Sequence, residues 1–149
     1  MYRILFVCHG NICRSPMAEF VMKDLVAKAG LSGQFYIDSA ATSREELGNP
    51  MYPPARRELA HHGVPCTSRK ARQITREDLD RFDRIYYMDR RNSIYLYRMF
   101  PEATNFRPFL PYDVADPWYS GDFTQTWIDI EQGCKNILDH FTKEYDYDK

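Results

Sequence analysis

Short apolar runs alternate along the chain with longer segments in which apolar residues recur every three or four positions. Residues 4–7 form a continuous apolar run, which is typical of a strand buried on both faces of a parallel sheet. Ser15 and Pro16 then fit a helix N-cap and the first helical position, and helical spacing of apolar residues continues until Gly30. The beginning of the chain therefore predicts a strand, a short polar loop and a helix.

Strands and helices continue to alternate through the rest of the chain. The further predicted elements are a strand at 35–40, a helix at 54–62 ended by Gly63, a short helix capped by Thr75 and Asp78, a strand at 84–88, a helix at 92–99, a strand at 104–107 and a last helix from Asp122. This alternation implies right-handed crossovers between parallel strands. We therefore predict one three-layer α/β domain over residues 1–149, a four-stranded parallel sheet with helices on both faces.

Charge and hydropathy argue against several kinds of partner for this chain. Twenty basic and twenty-one acidic side chains give a formal net charge of -1, which provides no global attraction to nucleic acid or to an anionic membrane. The first apolar run is too short for a transmembrane helix, and polar residues interrupt it before any signal-type cleavage site. We therefore expect a cytoplasmic protein without nucleic-acid or membrane partners.

The spacing of the cysteines and histidines argues against disulfide bonds and against a structural metal site. The chain has four cysteines, too few for a secreted disulfide scaffold of this length, and none of them form a CxxC pair. The four histidines fall in no metal-ligand pattern. Free thiols and the absence of a bound metal are the resulting expectations.

The segment CHGNICRS at residues 8–15 lies between the first predicted strand and the first helix. Backbone N–H groups of such a loop converge on one point, and the helix dipole adds positive potential there. Arg14, at the mouth of the helix, can hold two phosphate oxygens as a fork. The same donors favour a thiolate on Cys8, to which Ser15 is placed to donate a hydrogen bond. The loop therefore predicts a phosphate cradle beside a nucleophilic cysteine.

Four sequence blocks add a family resemblance to this prediction. They are CHGNICRS at residues 8–15, KARQIT at 70–75, YMD at 87–89 and DPWY at 116–119. In the order and spacing of these blocks the chain closely resembles the low-molecular-weight protein tyrosine phosphatases, over nearly its whole length. The resemblance implies the phosphotyrosine phosphatase I-like fold and hydrolysis of phosphotyrosine through a phosphocysteine intermediate, without metal or organic cofactor.

The resemblance also implies a role for each site residue. Cys8 is implied as the nucleophile, Arg14 as the phosphate clamp, and Asp116 as the acid that protonates the leaving group and then activates water. The other implied substrate-binding residues are His9, Gly10, Asn11, Ile12, Cys13, Ser15, Trp118 and Tyr119. We therefore expect a monomeric enzyme that acts on phosphotyrosine-containing proteins and releases inorganic phosphate.

Three positions bear on specificity and loop support. Glu45 stands where many family members carry an aromatic wall, which leaves the specificity open. Arg69 stands where many members have a histidine that supports the phosphate loop, so a different interaction has to support the loop here. Ile12 favours phosphotyrosine, because members acting on phosphoarginine carry threonine at this position.

Two other functions remain open on the sequence. An arsenate reductase shares this fold and nucleophile loop but relays oxidation through further cysteines. Cys66 and Cys134 are far apart, and no closely spaced cysteine pair follows KARQIT. A non-catalytic phosphotyrosine-binding module would keep Arg14 but lose the nucleophile or the acid, and both are present here. Phosphatase activity is therefore the favoured hypothesis.

Overall fold

Four parallel strands run through the middle of the molecule. In this computed structural model they are β1 (Tyr2–Cys8), β2 (Phe35–Ala41), β3 (Arg84–Tyr87) and β4 (Phe106–Pro108), in the spatial order β2-β1-β3-β4. The structure describes residues 1–147, with side chains through residue 144, so Asp148 and Lys149 of the predicted domain lie outside the described residues. β1 pairs in parallel with β2 on one side and β3 on the other. The predicted four-stranded parallel sheet is confirmed.

Helices cover both faces of this sheet. They are α1 (Arg14–Lys28), α2 (Pro53–His61), α3 (Arg76–Arg81), α4 (Arg90–Met99), α5 (Pro117–Ser120) and α6 (Phe123–Tyr147). Ile4 and Phe6 pack in a core that contains residues of α1, α2 and α6, whereas Leu5 and Val7 pack in a second core with Leu96 of α4. Successive strand residues point to opposite faces, so β1 lies between two helical layers, as predicted.

The carboxyl end of β1 is the point at which the chain leaves the sheet for α1. Ile4 to Val7 are fully buried, because both faces of β1 are covered. At its end Cys8 pairs in register with Ala41 of β2, and residues 9–13 connect to α1. β2 and β3 flank β1 on opposite sides, so the strand order reverses here, and ligands of open α/β sheets bind at such a point.

The prediction that Ser15 caps the first helix is wrong. α1 already begins at Arg14, and the Cys13 side chain at its N-cap makes no capping hydrogen bond. The Ser15 hydroxyl lies 3.0 Å from Cys8 Sγ and accepts a hydrogen bond from Asn11. The Ser15 hydroxyl therefore stabilises the loop and does not cap the helix.

Other differences from the predicted elements are small. β4 begins at Phe106 rather than at residue 104, and neither α5 nor the 3-10 turn at Ser32–Gln34 was predicted, because such short turns carry no apolar periodicity. The predicted cap of α3 is confirmed, since Thr75 and Asp78 form a reciprocal capping box. Within residues 1–147, none of the helices combines the length and apolarity needed to cross a bilayer.

Candidate active site

A cavity open to solvent, with about 440 Å³ of empty space when the solvent at its mouth is included, lies at the carboxyl end of β1. It contains nine of the eleven predicted site residues, together with two glutamates of the loop after β2. The lining residues are Cys8, His9, Gly10, Ile12, Cys13, Arg14, Glu45, Glu46, Asp116, Trp118 and Tyr119. Segments more than 100 residues apart in sequence, at Cys8 and Asp116, thus meet around one space.

Asn11 and Ser15 are the two predicted site residues that do not line the cavity. Both are fully buried, and their side chains are hydrogen-bonded to each other beneath the loop, with Asn11 Nδ2 2.8 Å from Ser15 Oγ. Ser15 Oγ accepts that bond, and its hydrogen can be donated to Cys8 Sγ at 3.0 Å, with the Ala40 carbonyl as a second acceptor at 3.5 Å. The Ser15 backbone N–H also donates to this sulfur, at 3.4 Å. Both groups stabilise negative charge on Cys8.

Asn11 has a backbone conformation that most residues avoid. Its φ of 59° lies in the left-handed region, which Asn tolerates better than most side chains. The side chain uses its full hydrogen-bonding capacity: Nδ2 donates to Ser15 and Ser39, and Oδ1 accepts from Arg69 and from the Arg72 backbone N–H. These four bonds hold the strained residue, and with it the turn of the loop.

Arg69 supplies the loop support that the sequence left open. Its Nη1 donates to the Asn11 backbone oxygen at 2.9 Å, and its Nη2 donates to Asn11 Oδ1. Burial lowers the pKa of this guanidinium, and the nearby Glu19 opposes that effect. Glu19 in turn accepts a hydrogen bond from Ser39 at 2.6 Å, which links it to the same network. The planar guanidinium of Arg69 therefore binds both the backbone oxygen and the side-chain oxygen of Asn11.

Arg14 is almost completely buried, with 2% of its side chain exposed. Nη1 donates to Asp89 Oδ2 and to the Val114 carbonyl, each at 2.7 Å. Burial works against the positive charge, but the negative groups at Cys8, Asp116 and Asp89 outweigh it, so the pKa of the guanidinium is raised. Arg14 is therefore a fixed cation next to Cys8, suited to hold a phosphate dianion.

Asp116 lies on the other side of the cavity, at the N-cap of α5. Its Oδ1 accepts a hydrogen bond from the Trp118 backbone N–H at 3.1 Å, and its Oδ2 is 3.4 Å from Arg14 Nη2. Pro117 at the first helical position and Gly121, with φ of 73° just after the last, define this single turn. The carboxyl group thus faces the position where Arg14 would hold a phosphate.

The rim of the cavity combines carboxylates with exposed aromatic rings. Glu45 Oε2 lies 2.9 Å from His9 Nε2, and Trp118 and Tyr119 are exposed. Glu46 packs so closely over the loop that a Cβ added at Gly10 would lie 3.2 Å from its Cγ. On this side of the rim a hydrogen bond between His9 and Glu45 therefore stands in place of the aromatic wall.

The four cysteines differ in their surroundings. All are free, and Cys8 and Cys13 line the cavity whereas Cys66 and Cys134 do not. Burial, reinforced by the charges of Cys8 and Asp116, raises the pKa of the Cys13 thiol far above its ordinary value. Burial likewise raises the pKa of the fully buried Cys134. Cys8 is the cysteine with a cation and hydrogen-bond donors around its sulfur.

Asp89 is a site residue to which the sequence gave no role. It follows β3 within the YMD block, caps α4 through Oδ1, and uses Oδ2 to fix Arg14. A carboxylate just after a buried strand was a usable signal, because carboxyl ends of parallel strands share one edge. Its partner could not be foreseen without knowing that β3 lies next to β1.

The donor groups of the cavity suit an anion. Among the described residues, no cluster of three or more His, Cys, Asp or Glu side chains could hold a metal ion. The cavity instead offers the Arg14 guanidinium and the N-terminus of α1, both of which attract negative charge. A phosphate group fits these donors.

The chain matches the family model described as low molecular weight phosphotyrosine protein phosphatase over residues 3–147. It is 39% identical to the low molecular weight protein-tyrosine-phosphatase YfkJ of Bacillus subtilis, across 97% of this chain and 98% of that protein. It is 40% identical to the human low molecular weight phosphotyrosine protein phosphatase, across 91% and 93% of the two chains. The crystal structure of YfkJ superposes with a TM-score of 0.93, covering 97% of this chain and 96% of the other.

Proposed function

Because the chain belongs to the low-molecular-weight phosphotyrosine protein phosphatase family and hydrolyses phosphotyrosine, we propose that Cys8 is its nucleophile, Arg14 its phosphate clamp and Asp116 its general acid and base. The observation that carries this assignment is the meeting of these three side chains around one cavity. The family implies phosphoproteins as substrates, and we propose that inorganic phosphate is the second product.

In the first step, the Cys8 thiolate attacks phosphorus in line with the tyrosine oxygen. The S–P bond forms while the P–O bond to the phenol breaks, and Asp116 gives its proton to the departing oxygen. Arg14 and the backbone N–H groups of residues 9–15 hold the equatorial oxygens. Dephosphorylated tyrosine leaves, and Cys8 carries the phosphoryl group.

In the second step, water attacks the phosphocysteine. Asp116, now a carboxylate, takes a proton from this water as the new P–O bond forms and the S–P bond breaks. The Cys8 thiolate is regenerated, and Ser15 stabilises it through the hydroxyl at 3.0 Å. Each residue thus returns to its starting protonation state when phosphate leaves.

Neither alternative function is favoured by the family or by the cavity. An arsenate reductase needs further cysteines to relay oxidation, and Cys66 and Cys134 do not line the cavity. A mere binding module would have no use for a nucleophile and an acid on the same cavity, yet both Cys8 and Asp116 lie there. The two alternatives therefore serve as controls in the test below.

The setting in which the enzyme works is a separate part of the proposal. We infer one domain over residues 1–149 that acts as a monomer in the cytoplasm, without nucleic-acid or membrane partners. The four free cysteines and the near-neutral net charge support this inference. Sedimentation equilibrium at several protein concentrations tests the monomer, and a rising mean mass would contradict it.

The test of the proposed function uses a phosphotyrosine peptide and a simple aryl phosphate as substrates. We expect hydrolysis of both, inhibition by vanadate, and no loss of rate with a metal chelator. The same preparation should show no thiol-dependent arsenate reduction. Arsenate turnover without phosphatase activity, or peptide binding without turnover, would overturn the assignment in favour of the corresponding alternative.

A further inference from the structure

Tyr52 lies between two parts of the site: the nucleophile loop, residues 8–15, and the Asp116 segment, residues 116–123. Its ring centroid is 4.8 Å from that of Trp118, at an interplanar angle of 52°, and 6.0 Å from that of Phe123. Trp118 precedes Gly121 and Phe123 follows it. One tyrosine ring therefore contacts the Asp116 segment on both sides of its left-handed turn.

The backbone of Tyr52 is fixed to the other half of the site. Its N–H donates to the Ile12 carbonyl of the nucleophile loop at 2.9 Å. Its own carbonyl accepts from the Arg56 backbone N–H at 3.1 Å, which ties it to the first turn of α2. The residue is thus anchored to residues 8–15 by its main chain and reaches the Asp116 segment by its side chain.

The Asp116 segment is held by the backbone hydrogen bonds of its own turn and by the Arg14 contact of Asp116, but most of its residues are exposed. α5 is a single turn of four residues, of which only Pro117 is buried, whereas Trp118 and Tyr119 are exposed. Asp116 Oδ1 is bound to the Trp118 backbone N–H, so a displacement of Trp118 moves the carboxyl group with it. General acid catalysis depends on this placement, and a displacement of about 1 Å can cost about a hundredfold in rate.

We propose that Tyr52 is a positioning residue for the general acid, acting through Trp118 to set the distance between Asp116 and the Cys8 loop. The proposal rests on the proposed function of Asp116. It assigns Tyr52 no contact with the reacting atoms. Its consequence is that removing the ring impairs protonation of the leaving group while leaving phosphate binding intact.

A different explanation is that Tyr52 only packs α2 against α6. His62 provides the matched control, because it follows α2 and its ring stacks on Trp127 of α6 at 3.9 Å with an interplanar angle of 2°. The described ring contacts of His62 are with Trp127 and His61, not with Trp118 or Phe123. His62→Ala removes an aromatic contact between the same two helices without touching the acid segment.

The experiment measures single-turnover phosphorylation of Cys8 with phenyl phosphate and with nitrophenyl phosphate, whose leaving group is the more acidic phenol. We expect Tyr52→Ala to lose about tenfold or more with phenyl phosphate and about threefold or less with nitrophenyl phosphate. Tyr52→Phe, which keeps the ring, and His62→Ala should stay within about twofold of the parent on both. Phosphate affinity should be unchanged in Tyr52→Ala, since the backbone N–H to Ile12 remains.

A double variant separates this proposal from the assignment of Asp116 itself. If Tyr52 acts through the acid, adding Tyr52→Ala to Asp116→Ala should cause no further loss with phenyl phosphate. An equal loss on both substrates, or the same loss with Asp116 already removed, overturns the role of Tyr52. If Asp116→Ala alone shows no dependence on the leaving group, the acid assignment fails first, and the proposal for Tyr52 fails with it.

Should Tyr52→Ala not fold, Tyr52→Leu keeps the apolar volume without the flat ring and answers the same question.

Discussion

Arg14 Nη1 lies 2.7 Å from Asp89 Oδ2, although the two residues are 75 positions apart in the chain. The Val114 carbonyl accepts from the same nitrogen at the same distance. Two strong acceptors on Nη1 fix the plane of the guanidinium, so that the edge formed by Nε and Nη2 is left for a ligand. Among the described residues, that edge has one partner, Asp116 Oδ2, at the long distance of 3.4 Å from Nη2. Asp89 therefore orients the clamp.

The first prediction concerns Arg14→Lys. A lysine ammonium keeps the charge but cannot bind Asp89 and the Val114 carbonyl while also gripping two phosphate oxygens as a planar fork. We expect kcat to fall by about a hundred- to a thousandfold, the usual effect of losing an oxyanion donor. Steady-state kinetics with an aryl phosphate measure it, and near-normal turnover would remove the clamp assignment.

The second prediction concerns Cys8→Ser. A serine hydroxyl stays protonated where the thiolate would attack, so turnover should be abolished with every leaving group. The fold and phosphate affinity should be retained, because Arg14 and the loop N–H groups are unchanged. Calorimetric phosphate titration and thermal unfolding provide these controls. Substantial activity in the serine variant would refute Cys8 as the nucleophile.

The third prediction concerns Asp116→Ala. A phenolate whose parent phenol has a pKa near 10 leaves poorly without a proton, and a positioned acid contributes about a hundred- to ten-thousandfold. The loss in single-turnover rate should shrink steadily across a series of aryl phosphates with increasingly acidic phenols. A loss that is independent of the phenol would instead assign Asp116 to the structure of its loop.

The fourth prediction concerns Arg69, whose two nitrogens hold Asn11. Arg69→Ala leaves the buried oxygens of Asn11 short of donors, which costs about 1.5–3 kcal/mol when the donor is charged. We expect lower stability in urea unfolding, weaker phosphate binding and reduced kcat. Arg69→Lys should recover only part of each, because one ammonium cannot reproduce the fork.

Lys70 offers the matched control for Arg69, as the neighbouring exposed cation. Lys70→Ala should leave stability and kinetics close to those of the parent, since exposed substitutions usually change stability by about 0.5 kcal/mol or less. Equal effects of the two alanine variants would mean that net charge, rather than support of Asn11, explains the result.

The fifth prediction concerns Gly133 in α6. A Cβ at this position would lie 2.8 Å from Phe109 Cδ2 and closer still to Cε2 and Cζ. Overpacking costs about 1–3 kcal/mol, whereas replacing a helical glycine by alanine gains at most about 1 kcal/mol. We therefore expect Gly133→Ala to lower the free energy of unfolding. In a Phe109→Leu background the same change should be neutral or stabilising, and an unchanged penalty there would contradict the clash.

The sequence by itself determined the parts of this protein that depend on local order. Apolar periodicity predicted the alternation of strands and helices, because burial imposes a period of two or 3.6 residues on each element. The segment at residues 8–15 predicted a phosphate site, since a cysteine, a polar turn and an arginine there fall between a buried strand and a helix. The four sequence blocks predicted the family, which the matching family model confirms.

The tertiary structure decided which distant residues complete the site. Arg14 reaches Asp89 across 75 positions because β3 lies beside β1 in the sheet. Arg69 reaches Asn11 across 58 positions because the segment that follows it pairs with the end of β2, where Gln73 bridges Ala41. The contact of Tyr52 with Trp118 likewise joins two segments that are far apart in the chain. The spacing of hydrophobic residues indicates which face of a helix or strand is buried, but it does not indicate which helices and strands become neighbours. The partners of the loop were therefore fixed only when the chain packed into its strand order.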